Sequence, residues 1–210
     1  MIVITIDPLD IAPSSIEKAV TILKAGGVVA FPTETFYGLA ADAANEKAVD
    51  RIFEIKGRSF NNPIALIISR QDDLDLLTDN IPEAAKKLMA AFWPGPLTLV
   101  FKASPYVSRR LTAGTGKIGV RISSNPIAQA LAAGLGRPMT ATSANLSGSR
   151  ECTTAQDVLS QIGPRLDALI DGGATPGGKG STFCDASSDP PAILREGIIA
   201  EAGIKCILKS

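Results

Sequence analysis

Apolar and polar positions along this chain switch repeatedly between a helical period and short, continuous apolar runs. An opening run over 2–6 predicts a strand; Ile16, Ala19, Val20 and Leu23 then fall at helical spacing as far as Gly26-Gly27, with Ser14 and Glu17 placed as a capping box. The run 28–31 is apolar at every position, as in a strand covered on both faces, and it leads into Pro32-Thr33-Glu34-Thr35. Asn45 is set to cap a helix whose Ala48, Val49, Ile52 and Phe53 share one face, and this helix delivers Lys56-Gly57-Arg58 at its carboxyl end.

Further along, the pattern predicts a strand over 64–68, helices around 74–77 and 83–92, a turn at Trp93-Pro94-Gly95-Pro96, and strands over 97–101 and 118–122. A helix from 126 to about 133, a strand over 139–142, a helix over 155–162, and short strands at 168–170, 182–184 and 192–194 complete the reading. Alternating helices and strands predict an α/β fold with a largely covered sheet, and the close spacing of the late strands predicts antiparallel pairing and so a mixed sheet. With no internal repeat and no long linker, residues 1–210 are expected to form one domain.

Composition narrows the chemistry. The 210 residues are 45% hydrophobic and 20% charged, an ordinary globular balance, and 21 Lys plus Arg against 21 Asp plus Glu leave no net charge. That removes the simplest electrostatic case for a dedicated nucleic-acid binder while leaving room for a local basic patch. Histidine is absent, which excludes Ser-His-Asp and Cys-His catalysis and every histidine-ligated metal site. Cys152, Cys184 and Cys206 are far apart without CxxC spacing, so neither a disulfide framework nor a zinc ribbon is expected and a reducing cytoplasm fits. The amino terminus has no signal-peptide pattern, and no apolar run is long enough to predict a membrane span.

Several segments carry candidate chemistry. Gly173 to Gly180 nearly spells a P-loop, but Gly180 stands where a Ser or Thr would bind magnesium, and strand and turn follow instead of a helix. Thr33-Glu34-Thr35-Phe36-Tyr37-Gly38-Leu39 reads equally as a capped turn or as hydroxyls and a carboxylate offered to a polar ligand. Lys56 and Arg58 suit the dipole at a helix carboxyl end as well as they suit an anion. Thr142-Ser143-Ala144-Asn145 is a compact hydrogen-bonding set after a strand. Arg121, in an apolar strand, requires a carboxylate, a phosphate or an open cleft, and a structural ion pair satisfies it as well as a ligand does.

Taken in order, Pro32 to Leu39, Lys56-Gly57-Arg58 with Asn62-Pro63, Trp93-Pro94-Gly95-Pro96-Leu97-Thr98, Gly119-Val120-Arg121, Ser143-Ala144-Asn145-Leu146-Ser147-Gly148 and Leu194-Arg195-Glu196-Gly197 resemble the YrdC/TsaC family over nearly the whole chain. The resemblance implies a YrdC-like fold: a twisted, mixed α/β sheet with flanking helices and a concave, basic cleft. It implies an L-threonylcarbamoyladenylate synthase that joins L-threonine, bicarbonate and ATP with release of pyrophosphate, for tRNA N6-threonylcarbamoyladenosine modification by a downstream transferase machinery. Mg²⁺ would arrive with ATP, and no tightly bound cofactor or resident metal is expected.

Position by position, the resemblance places Lys56, Arg58, Asn62, Ser143, Asn145 and Arg195 on ATP, with Lys56 and Arg58 as the catalytic cations. It places Thr35, Lys117, Arg121, Ala141 and Ser181 around threonine. The chain departs from the family pattern at Ser59, where Pro is usual, at Ile67, where His is common, and over Ser149-Arg150-Glu151-Cys152, where a serine-containing stretch is usual. The acidic residue often seen before the Ser181-Thr182 pair is also missing. The alternatives are a non-catalytic module holding double-stranded RNA or tRNA, and a paralogue of the YciO or HypF type with different carbamoyl chemistry.

Overall fold

The computed structural model describes residues 1–209. In chain order these form β1 (Ile2–Thr5), α1 (Pro13–Lys24), β2 (Val29–Phe31), β3 (Gly38–Ala40), α2 (Glu46–Lys56), β4 (Leu66–Ile67), α3 (Glu83–Phe92), β5 (Leu97–Lys102) and α4 (Arg109–Thr112). There follow β6 (Lys117–Arg121), α5 (Pro126–Leu135), β7 (Met139–Thr140), β8 (Thr142–Ser143), α6 (Ala155–Ile162), β9 (Ala168–Asp171), β10 (Thr182–Asp185), β11 (Ala192–Arg195) and α7 (Glu201–Lys209). The predicted helix around 74–77 is a 3-10 turn, Gln71–Leu76.

The mixed α/β character matches the expectation, but the strands are divided between two sheets. One has the order β1-β9-β2-β3-β8 and the other β11-β10-β5-β6-β4-β7. Antiparallel pairing of the late strands holds for β10 with β11; β9 instead runs parallel to β1 and β2, and β10 parallel to β5. Spacing along the chain does not reveal that β9 and β10 belong to different sheets.

The predicted strand 139–142 breaks at Ala141. On one side β7 pairs with β4 in the second sheet; on the other β8 pairs with β3 in the first. The backbone changes sheets here, and the Ala141 amide donates to the Ala65 carbonyl at 2.7 Å.

Two apolar cores hold the sheets. Val49, Ile52 and Phe53 of α2 pack in a cluster with Tyr37, Leu39, Leu99, Phe101, Ile118 and Val120. Leu23 of α1 and Leu131 of α5 pack with Val29, Phe31 and Ile170 of the first sheet. The start of α1 differs from the expected capping box: Ala12 is the N-cap and makes no side-chain cap, Pro13 takes the first turn, and Ser14 lies inside the helix. Proline is preorganised for this position and has no N–H to satisfy. Asn45 does cap α2, its side chain accepting from the Ala48 amide at 3.2 Å. Among the described residues, no helix is long and apolar enough to cross a membrane.

Candidate active site

Strand alternation builds the floor of a cleft of about 490 Å³ on one face of the second sheet. Leu97, Leu99 and Phe101 of β5 and Ile118 and Val120 of β6 point into the core. Their neighbours Thr98, Val100, Lys117, Gly119 and Arg121 line the cleft, as do Ser181 and Phe183 from the start of β10. A period of two thus explains how Arg121 sits in a strand of Ile and Val residues without facing the core. The segment Thr33 to Gly38, together with Ala141, Thr142 and Ser143, lines the cleft from the first sheet and the sheet-changing stretch.

A second hollow of about 340 Å³ adjoins it, lined by Lys56, Arg58, Asn62, Ser143, Asn145 and Gly148 among others. Its cations are delivered by the end of α2. Gly57 adopts φ 58°, the left-handed conformation that glycine tolerates best, and the Arg58 amide donates to the Phe53 carbonyl at 3.0 Å. This turn sends Lys56 inward and leaves Arg58 at the junction of the two hollows.

The Lys56 ammonium is buried and engaged by the protein. It donates to the Ser143 carbonyl, to the Asn145 carbonyl at 2.9 Å and to Asn145 Oδ1 at 3.0 Å, with Ser143 Oγ at 3.5 Å. Burial, reinforced by the nearby Arg58 charge, lowers its pKa to about 8. Ser143 Oγ in turn donates to Asn145 Oδ1 at 2.7 Å, so lysine, serine and asparagine form one closed network. Arg58 is held more loosely, donating to Thr142 Oγ1 at 3.3 Å and to the Pro63 carbonyl at 3.2 Å.

At the other end, Arg121 Nη1 lies 2.8 Å from Glu34 Oε1, with both side chains largely buried. Ser123 donates its hydroxyl to the other oxygen of Glu34. Burial pushes the guanidinium pKa down, Glu34 opposes this, and the nearby Arg195 charge adds to it. The ion pair expected as one reading of Arg121 is present, and the side chain still lines the cleft.

Around it, the Thr33 and Thr35 hydroxyls are 3.0 Å apart, and Thr98 donates to Ser181 Oγ at 3.0 Å. Arg195 lies over the Phe183 ring, 4.5 Å from its centroid, and donates to the Ser181 carbonyl at 2.9 Å. Lys117 is paired with Asp185 at 2.6 Å.

All eleven residues singled out from the sequence line one or other hollow. Lys56, Asn62 and Asn145 line the smaller; Thr35, Lys117, Ala141, Arg121, Ser181 and Arg195 line the larger; Arg58 and Ser143 line both. The sequence reading gave Ser123 and Thr98 no role, and took Thr33 and Glu34 as a capped turn or as groups offered to a polar ligand, whereas Glu34 anchors Arg121 and is itself held by Ser123. The signal for Glu34 was present, since a guanidinium in an apolar strand calls for a carboxylate. The near P-loop takes no part as a phosphate cradle: Gly173 accepts from the Tyr37 hydroxyl at 2.7 Å, the Gly177 amide donates to the Thr35 carbonyl at 2.9 Å, and strand β10 follows. Among the described residues, no group of three or more Cys, Asp or Glu side chains is arranged to hold a metal ion.

Comparison with known proteins matches this geometry to a family. Residues 21–197 match the Sua5/YciO/YrdC family, whose description reads telomere recombination. The threonylcarbamoyl-AMP synthase of Bacillus subtilis (strain 168) is 41% identical over 203 residues, which cover 96% of this chain and 59% of that protein. The crystal structure of P. abyssi Sua5 complexed with L-threonine superposes with a TM-score of 0.95 at 40% identity, covering 99% of this chain and 61% of that one. E. coli YciO superposes with a TM-score of 0.86 at 31% identity, covering 97% of this chain and 98% of that one. The chain therefore spans about three fifths of the B. subtilis and P. abyssi proteins that it resembles. By the extent of the family match and by these likenesses, this chain belongs to the Sua5/YciO/YrdC family.

Proposed function

We propose that this chain synthesises threonylcarbamoyl-AMP from ATP, L-threonine and bicarbonate, releasing pyrophosphate, in the cytoplasm. The product would supply the threonylcarbamoyl group of N6-threonylcarbamoyladenosine in tRNA through a separate transferase. The observation that carries this reading is the junction: Arg58 and Ser143 line both hollows, so an anion-binding end and a small polar end open onto one point. Likeness to a threonylcarbamoyl-AMP synthase and to a threonine-bound Sua5 supports the same assignment.

In this reading the nucleotide extends from the hollow lined by Arg58, Asn62, Ser143 and Asn145 into the larger cleft, where Arg195 meets it, with Mg²⁺ brought in on its phosphates. Arg58 and Arg195 form no ion pair with a carboxylate among the described residues, so both cations are available to phosphate. Lys56 spends its hydrogen bonds on the 143–145 segment and adds its charge from behind. Arg121, fixed by Glu34, presents its remaining donors to the threonine carboxylate, as a guanidinium fork suits. Thr35 and Ser181 orient the amino acid, with Ala141 and Lys117 closing its surroundings.

The chemistry then follows from proximity. The threonine nitrogen bonds to the bicarbonate carbon, and water and one net proton leave. A carbamate oxygen next bonds to the α-phosphorus, and the bond from that phosphorus to the bridging oxygen breaks, the electron pair leaving with pyrophosphate. Juxtaposed reactants and fixed cations facing the developing charge supply the acceleration. No covalent enzyme intermediate is required.

We read residues 1–210 as one YrdC-like unit sufficient for this reaction. The test is pyrophosphate release from purified protein with Mg-ATP, L-threonine and bicarbonate, each omitted in turn. Release that requires all three is the expected result. RNA binding with a steep salt dependence, in folded protein that releases no pyrophosphate, would instead favour a binding module.

A further inference from the structure

Among the described residues, Glu151 is the one acidic side chain lining the main cleft, where it shares the walls with Arg58, Lys117, Arg121 and Arg195. The adjoining hollow has no acidic lining residue. Two carboxylates that hold cleft-lining cations are already committed, Glu34 to Arg121 and Asp185 to Lys117. Glu151 enters no hydrogen bond or ion pair through its carboxylate among the described residues. Its backbone neighbours place it: Asn145 Nδ2 donates to the Ser149 carbonyl at 2.6 Å and the Tyr37 amide to the Cys152 carbonyl at 2.9 Å, and the nearby Glu151 charge also acts on Lys56. Glu151 therefore belongs to the end of the cleft where Lys56 grips Ser143.

We propose that Glu151 is the protein's ligand, directly or through a coordinated water, for the Mg²⁺ carried on the ATP triphosphate. The proposal rests on the reading that this cleft takes ATP. A carboxylate facing a triphosphate repels it unless a cation stands between them. Magnesium is commonly held by one or two carboxylates together with substrate phosphates, keeping several of its waters. Among the described residues no acidic trio is arranged to hold a resident ion; in this proposal the metal arrives with the nucleotide and meets a single carboxylate. The threonine ammonium is the other positive group brought in. It lies two bonds from the carboxylate assigned to Arg121, and so stays beside Arg121 and Glu34.

The test is equilibrium binding of a non-hydrolysable ATP analogue to wild-type protein, Glu151→Gln and Glu151→Asp, with MgCl₂ or with EDTA. Thermal melts show which variants are folded. In wild-type protein Mg²⁺ should tighten binding. In Glu151→Gln that gain should shrink by about tenfold or more, the loss typical when a group supporting a metal is removed. Affinity in EDTA should be unchanged or higher, because a like charge has gone. Glu151→Asp should keep most of the gain, and it decides the matter if the Gln variant does not fold.

Equal loss with and without Mg²⁺ would mean a contact to ribose or base and would overturn the proposal. So would an unchanged gain, or an effect confined to threonine binding. Wild-type protein that binds no analogue in either condition would overturn the nucleotide reading itself, and this proposal with it.

Discussion

The Lys56 ammonium donates to both the main-chain carbonyl and the side-chain carbonyl of Asn145, at 2.9 and 3.0 Å. These contacts make Lys56 a clamp on the 143–145 segment. Substituting Lys56→Met strips a charged donor from several buried acceptors and should destabilise the fold by about 2 kcal/mol. Displacement of Ser143 and Asn145 should also lower kcat/KM for ATP by about a hundredfold, as misplacement of a positioning group does. Urea unfolding and pyrophosphate release measure the two effects.

The same lysine predicts a pH dependence. Its pKa is about 8 in the folded chain against an ordinary 10.5, so between these values the unfolded chain holds a proton that the folded chain has lost. Stability therefore gains from this group as pH rises through that window. Comparing wild type with Lys56→Met isolates the contribution. The wild-type stability should climb relative to the variant from about pH 8 to 10.5, and should run parallel to it below pH 8.

Arg58 makes longer hydrogen bonds, to Thr142 and to the Pro63 carbonyl, and borders both hollows. Arg58→Ala should leave stability within about 1 kcal/mol of wild type. It should lower kcat by about a hundredfold through loss of a donor facing the developing charge. Thermal melts and steady-state kinetics on the same preparations separate the two outcomes.

Glu34 holds Arg121 at 2.8 Å in a largely buried pair. Glu34→Gln leaves the guanidinium without its counter-charge and should cost about 3 kcal/mol. With Arg121 no longer fixed, the KM for threonine should rise more than that for ATP. Arg121→Lys, which keeps the charge but loses the fork, should raise the threonine KM with less effect on denaturant unfolding.

Gly197 is packed against the backbone of Gly180 and Ser181, so that an added Cβ would lie 2.6 Å from the Ser181 carbonyl oxygen. Gly197→Ala should push this segment into the cleft and destabilise the fold by about 1–3 kcal/mol, the usual range for overpacking. Its threonine KM should rise with the displacement of Ser181. An unaltered melting temperature would contradict this.

The candidate residues stand out because they lie at ends and alternate positions of strongly patterned elements, but the pattern leaves each open between a structural and a binding role, and the resemblance to the YrdC/TsaC family is what points them at ATP and threonine. The apolar period on α2 marks where Lys56 and Arg58 emerge, and alternation along β6 separates Ile118 and Val120 from Lys117 and Arg121. What could not be read was long-range pairing. Nothing local says that Glu34 meets Arg121, that Lys56 meets Asn145, or that the strand through Met139 and Ser143 changes sheets at Ala141. Strand β3 was hidden because its three residues continue a motif that reads equally as a turn. The carboxyl-terminal helix α7 went unread although Ile204, Ile207 and Leu208 fall at helical spacing and pack on the core; it is only nine residues long and carries Gly203, a poor helix former, near its start.

The most direct test of synthase activity is a mass spectrum of the adenylate formed from ¹³C-bicarbonate, L-threonine and Mg-ATP. Threonylcarbamoyl-AMP carrying the heavy carbon, appearing together with pyrophosphate, is the expected product. An adenylate free of label, such as threonyl-AMP, would contradict synthase activity, as would folded protein that yields no adenylate.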